Sequence, residues 1–441
     1  MQTPTQIPEK SAVRILHTSD WHLGQFFYGK SRYQEHKAFL DWLLTQIKDH
    51  HVDALVVAGD IFDTSSPPSY ARSLYNQFIV AMTETQCQLF IVGGNHDSVA
   101  MLGESKELLA CLNTKVIPDI TDDVNDHIFV IKDKNHQAKA ILGAVPFLRP
   151  RSLITSEAGL SGEHKQQQLG ESIAQYYADI FDEASKLSQR FDKPLPVILT
   201  GHLTTVGASS SESVREIYIG SLDAFNAHQF PKADYIALGH IHRPQKVAKS
   251  EHIRYSGSPL CLSFDELSSN KQLLMVDFDA AKQLTVTEID VPVFQQLTRL
   301  KGDLSDIELA IKSLLKDELA SDAADKKTIW LSIEVNTQDY LSDLQGRIQQ
   351  IIDDAKSDQV LEVLQLKRTR QQDKTIVREC QETLSELNFN QVFERRLAME
   401  TCDCDDKKAQ FSRITAIFND IANQVASNTE AQKTTDGEQE L

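Results

Sequence analysis

Short apolar runs, many of them β-branched, alternate with segments of helical periodicity over residues 11–295. In two of these segments, 32–49 and 68–83, apolar residues recur three or four positions apart, which predicts amphipathic helices. Near-continuous apolar runs are typical of strands in a sheet that is covered on both faces. The alternation therefore predicts an α/β fold. The predicted strands are VRILHT (13–18), ALVVAG (54–59), LFIVGG (89–94), AILGAVPF (140–147), PVILTG (196–201) and YIALGH (235–240).

The pattern of apolar and polar residues changes after residue 295, which predicts further domains. Residues 296–370 alternate helical patterns with two strand-like runs, which predicts a small α+β domain. The pattern over residues 385–425 predicts a pair of helices that share one apolar stripe. This stripe would pack either against a partner protein or against the rest of this chain. Residues 1–10 are predicted to be a flexible lead, and 426–441 an acidic disordered tail.

Composition restricts the partners and the cellular location that the protein can have. The formal net charge of −18 argues against a nucleic-acid binder, whose affinity depends on Lys and Arg. Bound metal ions would offset part of that charge. No apolar run approaches the roughly 20 residues of a membrane span, and the start lacks signal-peptide features. We therefore expect a cytoplasmic location, no membrane contact and free thiols. The cysteines are Cys87, Cys111, Cys261, Cys380, Cys402 and Cys404.

Five of the predicted strands end in the same way, with histidine, aspartate or asparagine directly after the apolar run. In open α/β sheets, ligands bind outside the carboxyl ends of the strands. Neighbouring strands lie about 5 Å apart, so side chains that follow them can converge. The residues in question are Asp20, His22, Asp60, Asp63, Asn95, His96, Asp97, His202, His240 and His242.

Carboxylate, amide and imidazole groups without thiolate suit Mn²⁺, Fe²⁺ or a similar ion better than structural zinc. Seven of these residues are candidate ligands, which is too many for one ion that must also bind water. A carboxylate can bridge two ions, and Asp60 is the natural bridge. Two metal ions about 3.5–4 Å apart catalyse phosphate-ester hydrolysis. The candidate ligands are Asp20, His22, Asp60, Asn95, His202, His240 and His242.

The remaining polar residues are predicted to act beside the ions. His96 would protonate the leaving oxygen or stabilise the transition state. Asp63 would orient the His96 imidazole by a hydrogen bond. Asp97 is expected to have a supporting hydrogen-bond role.

The motifs DxH, GDxxD, GNHD, GH and GHxH occur in this order and resemble those of the calcineurin-like metallophosphoesterases. The stretches ILHTSDWHLGQFFYGKSR, PFLRPR and DYIALGHIHRPQ are more specific and resemble the SbcD family of nuclease subunits. The resemblance runs from residue 13 to about residue 400 and implies two facing β-sheets flanked by helices. It also implies that Asp20, His22, Asp60 and His242 hold one ion, that Asp60, Asn95, His202 and His240 hold the other, and that His96 is catalytic with Asp63 as its partner.

The resemblance further implies an activity and its partners. The activity is ATP-dependent 3′→5′ exonuclease action on DNA ends and endonuclease action on hairpins and single strands, in repair, replication and recombination. Manganese would support it, with magnesium as the alternative. The partners would be DNA, an SbcC-type coiled-coil ATPase and a second copy of this subunit within a heterotetramer, associated with the nucleoid. Residues 296–370 would cap DNA, and 385–425 would bind SbcC.

The resemblance and the local charge also suggest contact residues. Basic residues near the motifs could line a DNA path, and residues on two helices occupy the position of the family's homodimer contact. The DNA candidates are Lys30, Arg32, Arg149, Arg151 and Arg243, and the dimer candidates are Leu74, Phe78 and Leu108.

Two other functions are compatible with the same motifs. A stand-alone phosphatase or cyclic-nucleotide phosphodiesterase would use the same site, but it would need neither the domain at 296–370 nor the helical pair. A non-catalytic scaffold stabilised by metal would have no use for the proton donor His96 beside its ions. The sequence therefore favours the DNA nuclease.

Overall fold

The chain divides into two compact units, Met1–Gln371 and Gln372–Leu441. The predicted flexible lead, most of the predicted helical pair and the predicted tail lie outside the described residues. Of the pair, only 413–415 and 417–418 are described, and they are helical. The computed structural model describes residues 11–153, 162–214, 224–319, 328–336, 341–354, 361–369, 413–415 and 417–418.

The strands and helices of the first unit are numbered in chain order. No helix among its described residues has the length and apolar character that a bilayer span requires. The strands are β1 (Val13–Thr18), β2 (Phe26–Phe27), β3 (Lys30–Ser31), β4 (Ala54–Ala58), β5 (Gln88–Val92), β6 (Thr114–Ile117), β7 (Ile128–Lys132), β8 (Ala138–Gly143), β9 (Val197–His202), β10 (Tyr235–Gly239), β11 (Gln245–Lys246), β12 (Ile253–Tyr255), β13 (Gln272–Phe278), β14 (Leu284–Asp290), β15 (Leu297–Gly302), β16 (Ile329–Asn336) and β17 (Leu361–Thr369). The helices are α1 (Tyr33–Asp49), α2 (Ser69–Met82), α3 (Val99–Gly103), α4 (Lys106–Ala110), α5 (Pro150–Leu153), α6 (Gly162–Ser188), α7 (Leu304–Leu319) and α8 (Leu341–Asp354).

Two six-stranded sheets form the larger part of this unit. The first has the order β14-β13-β1-β4-β5-β6, in which β1, β4, β5 and β6 are parallel. The second has the order β11-β12-β10-β9-β8-β7, in which β8, β9, β10 and β12 are parallel. The apolar runs predicted six of these parallel strands and missed two, β6 and β12. The six are β1, β4, β5, β8, β9 and β10.

The two sheets face each other across a shared apolar core. Ile15, Val56 and Phe90 from the first sheet belong to the same buried cluster as Leu142 and Ile198 from the second. On its other face, the first sheet packs against α1 and α2, and the second packs against α6. This four-layer arrangement confirms the predicted fold of two facing sheets flanked by helices.

A third sheet contains β15, β16 and β17, all parallel. Helices α7 and α8 connect these strands, and Ile311, Ile333 and Ile348 form part of a separate buried cluster. The prediction of an α+β domain for this region was wrong in detail, because three parallel strands joined by helices make a βαβαβ unit. The sequence pattern missed β15, since its residues LTRLKG mix apolar and basic side chains.

Two of the residues predicted for a homodimer contact are in the core instead. Leu74 and Phe78 lie on the buried face of α2, and Phe78 contacts Trp21 edge-on at 5.4 Å between ring centroids. Their side chains are 4% and 3% exposed, so neither can reach a partner. Only Leu108 of the three is exposed, at 65%.

The cysteines within the described residues are free, as predicted. Cys87 is buried, Cys261 is partly buried and Cys111 is exposed. Burial raises the pKa of the Cys87 thiol, which makes it an unreactive apolar residue. The other three cysteines, Cys380, Cys402 and Cys404, lie outside the described residues.

Candidate metal centre

The loops that follow β1, β4, β5, β9 and β10 meet at one end of the paired sheets. Main-chain hydrogen bonds tie them together: the Asp20 N–H donates to the Gly59 carbonyl at 3.0 Å, and the His22 N–H donates to the Asp60 carbonyl at 3.1 Å. The His240 N–H, which follows the second sheet's β10, donates to Asp20 Oδ1 at 3.0 Å. Residues up to 220 positions apart in the sequence are therefore brought together.

All seven predicted ligands lie in two groups. Within each group, one nitrogen or oxygen atom of every residue lies within 4.8 Å of the others. Asn95 joins the second group, because its Oδ1 lies 2.9 Å from His202 Nε2 and 3.1 Å from His240 Nδ1. The first group is Asp20, His22 and His242, and the second is Asp60, His202 and His240.

The carboxylate of Asp60 lies between the two groups. Its Oδ2 is 3.3 Å from His202 Nε2 and 3.6 Å from His22 Nε2. Its Oδ1 accepts a hydrogen bond from the main-chain N–H of His96 at 2.9 Å, which fixes the orientation of the carboxylate. The geometry is that of a carboxylate that can bridge two cations.

Hydrogen bonds behind the imidazoles fix which nitrogen faces the centre. His202 Nδ1 lies 2.9 Å from the Ala58 carbonyl oxygen, and His22 Nδ1 lies 3.1 Å from Asp63 Oδ1. Carbonyl and carboxylate oxygens only accept hydrogen bonds, so each Nδ1 carries the proton. Each Nε2 is therefore the nitrogen that faces the centre and can give its lone pair to a bound metal ion, as in most histidine ligands of metals.

These residues fit divalent cations, because their ligand atoms face each other in a buried space. His202 Nε2 points at two oxygen acceptors, Asp60 Oδ2 and Asn95 Oδ1. The Nε2 atoms of His22 and His240 are buried and have no hydrogen-bond partner. Buried acceptors that face one another repel unless positive charge lies between them. Carboxylate, amide and imidazole donors without thiolate suit Mn²⁺ or Mg²⁺-like ions.

The pKa shifts of Asp60 and His202 also indicate that the centre favours a positive charge. Burial would raise the pKa of Asp60, but the imidazoles of His202 and His22 outweigh it and hold that pKa well below its ordinary value. Burial would lower the pKa of His202, but the Asp60 carboxylate raises it to about 9. A cation in the centre would take the place of the proton that His202 otherwise holds.

The backbone is strained at the ligands. Asp20, His22, Asp60 and His240 have φ angles of +54°, +46°, +51° and +94°, in the left-handed region that favours glycine. Such conformations cost on the order of 1–3 kcal/mol each and concentrate at functional sites. Gly94 allows the close packing here, since a Cβ atom on it would lie 2.1 Å from Asp60 Oδ1.

His96 lies beside both groups, and its ring contacts the loop that carries Asp63. His96 Nδ1 lies 2.6 Å from the main-chain carbonyl oxygen of Asp63, so the backbone orients the imidazole. The Asp63 carboxylate contacts His22 Nδ1 and therefore supports a candidate ligand, and one of its oxygens also lies within 4.8 Å of a ring nitrogen of His96. His96, His22 and His242 line one cavity of about 300 Å³ that opens to solvent. This position suits a group that acts on a bound substrate.

Asp97 has the predicted supporting role. Its carboxylate accepts hydrogen bonds from the main-chain N–H groups of Ile61, Phe62 and Gly94, at 3.2, 3.0 and 2.9 Å. It thereby joins the loop after β5 to the loop after β4. Burial, followed by the neighbouring Asp60 charge, raises the pKa of Asp97 to about 6.

Glu266, which was not among the predicted site residues, anchors His242. The Glu266 carboxylate is buried, lies 3.2 Å from His242 Nδ1 and accepts a hydrogen bond from Lys271 Nζ at 2.6 Å. Ser213 Oγ contacts both His242 Nδ1 and Glu266. Burial would raise the pKa of Glu266, but His242 and Lys271 keep it well below its ordinary value. Glu266 follows no apolar run, so nothing in the local pattern marked it.

We expect Glu266→Gln to weaken one ion selectively. Without the carboxylate, His242 Nδ1 loses its charged partner, so the affinity for the ion that His242 holds should fall roughly 10- to 100-fold. The measurement is a manganese titration that resolves two binding steps. Glu308→Gln, at an exposed position on α7, is the matched control and should bind both ions normally. An unchanged affinity at both steps in Glu266→Gln would show that Glu266 does not support a ligand.

Two predicted DNA contacts are explained by structural roles. Arg32 is 1% exposed and its guanidinium donates to Glu35, Gln25 and the Cys261 carbonyl, so its prediction as a DNA contact was wrong. Arg149 donates from Nη2 to the carbonyl oxygens of Gly94 and Asp97, at 3.3 and 3.1 Å, and so holds the GNHD loop.

The other three predicted DNA contacts are more accessible. Lys30 forms an ion pair with Glu362 of β17. Arg151 is exposed on α5, and Arg243 is partly buried directly after His242. These three remain predictions.

Comparison with known families agrees with this geometry. The family model for the calcineurin-like phosphoesterases matches residues 13–244, which contain all seven candidate ligands. The SbcD subunit of the SbcCD nuclease from Escherichia coli K12 is 48% identical over 420 residues, covering 95% of this chain and 100% of the relative. The chain belongs to the SbcD family of calcineurin-like phosphoesterases. The SbcD subunit of the SbcCD nuclease from Bacillus subtilis is 30% identical, covering 75% of this chain and 81% of the relative.

The similarity to the SbcD family extends beyond the metal centre. A second family model, described as the type 5 capsule protein repressor C-terminal domain (SbcD_C), matches residues 293–401. This match covers β15, α7, β16, α8 and β17 and continues past the described residues. The βαβαβ unit is therefore part of the family's architecture.

Proposed function

We propose that this chain is the nuclease subunit of an SbcCD-type complex and hydrolyses DNA phosphodiesters with two divalent ions. The observation that carries the proposal is the position of Asp60 Oδ2, 3.3 Å from His202 Nε2 in one ligand group and 3.6 Å from His22 Nε2 in the other. The relative in E. coli, a nuclease subunit that matches along its whole length, supports a nucleic acid as substrate, and the resemblance to the SbcD family implies DNA. We further propose manganese as the ion, with magnesium as the alternative.

The proposed mechanism assigns a role to each part of the centre. Asp20, His22, Asp60 and His242 would hold one ion, and Asp60, Asn95, His202 and His240 the other. When bound, the two ions supply the positive charge that activates water and stabilises the phosphoryl transition state. The protein holds the ligands rigidly, through the hydrogen bonds of Asp63 to His22 and of Glu266 to His242. Rigid ligands keep the substrate phosphate in one orientation.

His96 is proposed as the residue that acts on the substrate directly. Its Nδ1 donates to the Asp63 carbonyl, so its Nε2 is the nitrogen that exchanges a proton with the substrate. A protonated imidazole there would donate to the leaving 3′ or 5′ oxygen, or stabilise charge on the phosphoryl group. In this proposal Asp63 contributes by its carbonyl to His96 and by its carboxylate to His22.

The partners are proposed from the family and from surface features. The domain at 296–370 would cap the DNA substrate, with Lys30, Arg151 and Arg243 along the DNA path. The helical pair at 385–425 would bind an SbcC-type ATPase, and exposed Leu108 would contribute to the homodimer in a heterotetramer. The activity would be ATP-dependent 3′→5′ exonuclease and hairpin endonuclease action in repair, replication and recombination, in the cytoplasm at the nucleoid.

The proposal is tested with the purified chain, Mn²⁺, ATP and an SbcC-type ATPase. The substrates are 5′-labelled duplex DNA, hairpin DNA and an aryl phosphate monoester. We expect ATP-stimulated DNA cleavage, with duplexes shortened from the 3′ end. Turnover of the monoester without any DNA cleavage would instead identify a phosphatase. Two bound ions without hydrolysis of any ester would identify a scaffold.

A further inference from the structure

An aromatic residue of the β2–β3 hairpin lies at the mouth of the catalytic cavity. Tyr28 lines the same cavity of about 300 Å³ as His22, His96 and His242. The Tyr28 side chain is 40% exposed, and its ring lies 5.2 Å from the ring of Phe264. None of the roles given above uses this ring.

The backbone of this hairpin is unfavourable for tyrosine. Phe27 pairs with Lys30, so Tyr28 and Gly29 form a two-residue turn. Their φ angles are +48° and +86°, as a type I′ turn requires. Asn-Gly is the preferred sequence for such a turn, and a bulky side chain at φ above zero is an outlier. A strained aromatic residue at the edge of an active site suggests that the ring itself is needed.

The hairpin is a rigid support for this ring. Phe27 is buried and stacks on Trp330 of β16, with centroids 5.8 Å apart and an interplanar angle of 15°. The guanidinium of buried Arg32 lies 5.2 Å from the centre of the Phe27 ring. Phe264 contacts both Phe27 and Tyr28. Because its neighbours hold the hairpin in place, Tyr28 is presented to the cavity in a fixed position.

The charges around the cavity favour a base over a phosphate at Tyr28. The same cavity is lined by the carboxylates of Asp63 and Glu212. A second backbone phosphate near these carboxylates would be repelled, whereas the face of a nucleobase is uncharged. Nucleobases of any sequence stack on aromatic side chains.

We propose that Tyr28 is a stacking platform for the unpaired base of the nucleotide next to the scissile phosphate. This inference rests on the proposed nuclease function. It gives the site a substrate requirement: the terminal or hairpin-tip nucleotide must leave its base pair before its phosphate reaches the metal centre. It also explains why a turn position that favours asparagine is occupied by an aromatic residue.

Tyr28→Asn tests this inference without risking the fold. Asparagine suits the turn, so the melting temperature of the variant should equal or exceed that of the wild type. Its kcat/KM on DNA should fall roughly 10- to 100-fold, mainly through KM. Tyr28→Phe keeps the ring and should retain wild-type activity. Phe26→Ala removes an exposed aromatic residue of the same hairpin that does not line the cavity, and should have little effect.

A substrate without a base at the proposed position provides the decisive comparison. The wild type should cleave DNA with an abasic site next to the scissile phosphate more slowly than intact DNA. Tyr28→Asn should cleave both substrates at the same reduced rate. An equal penalty for the abasic substrate in both proteins, or wild-type kinetics of Tyr28→Asn on intact DNA, would overturn the stacking role. If the wild type itself cleaves no DNA, the proposed nuclease function fails instead.

Discussion

Replacing Asp60 with alanine is expected to remove both metal ions and to abolish phosphodiester hydrolysis. A single oxygen, Asp60 Oδ2, faces His202 Nε2 and His22 Nε2, which belong to different ligand groups. Loss of this oxygen removes a ligand from each ion and the negative charge that offsets their mutual repulsion. Activity should fall by at least roughly a thousandfold, because the ions supply several kcal/mol of transition-state stabilisation.

Elemental analysis of the purified variant measures the loss directly. The matched control is Asp53→Ala, which removes a carboxylate at the opposite end of the same strand, β4. Asp53 precedes that strand, and its Oδ2 accepts a hydrogen bond from the Arg14 N–H at 2.8 Å. This control should retain two ions and full activity. Wild-type protein treated with a chelator should behave like Asp60→Ala. Two tightly bound ions in Asp60→Ala would contradict the bridging role.

Replacing His96 with asparagine should separate catalysis from metal binding. His96 is not needed in either ligand group, and its imidazole is oriented by the Asp63 carbonyl at 2.6 Å. The variant should therefore keep two ions, while kcat falls roughly 10²- to 10⁴-fold through loss of the proton donor. KM for DNA should change little, because the ions and the rest of the cavity still bind the phosphate.

The control for this variant is His228→Asn, which changes an exposed histidine outside the centre. It should match the wild type in both metal content and rate. If His96→Asn loses an ion together with its activity, His96 is a ligand and not a proton donor. If it retains more than about a third of the wild-type rate, His96 has no catalytic role.

The sequence predicted the centre well because the ligands follow a simple rule. Each predicted ligand lies at or just beyond the end of an apolar strand, where parallel strands of one sheet deliver side chains to the same edge. His202 and His240 come from a different sheet than Asp20 and Asp60, and the pattern alone did not assign them to separate sheets. Family resemblance provided the arrangement of two facing sheets, and the shared core between Val56 and Ile198 shows how they pack.

The residues that support the ligands were harder to predict. Their roles depend on tertiary contacts, which leave no periodic pattern in the sequence. Glu266 reaches His242 from a short 3₁₀ turn, and Tyr28 reaches the cavity from a two-residue turn. The sequence predicts Arg32 as a DNA contact, but Glu35, one helical turn along the chain, pairs with it in the interior. The family resemblance predicts Leu74 and Phe78 as a homodimer contact, whereas Trp21 and the neighbouring strands cover them.

The position of the two ions tests the central claim most directly. Crystals grown with Mn²⁺ and measured at the manganese absorption edge should show two anomalous peaks about 3.5–4 Å apart, with the Asp60 carboxylate between them. One peak should lie next to Asp20, His22 and His242, and the other next to Asn95, His202 and His240. A single peak, or two peaks that do not share Asp60, would contradict a two-metal centre bridged by this residue.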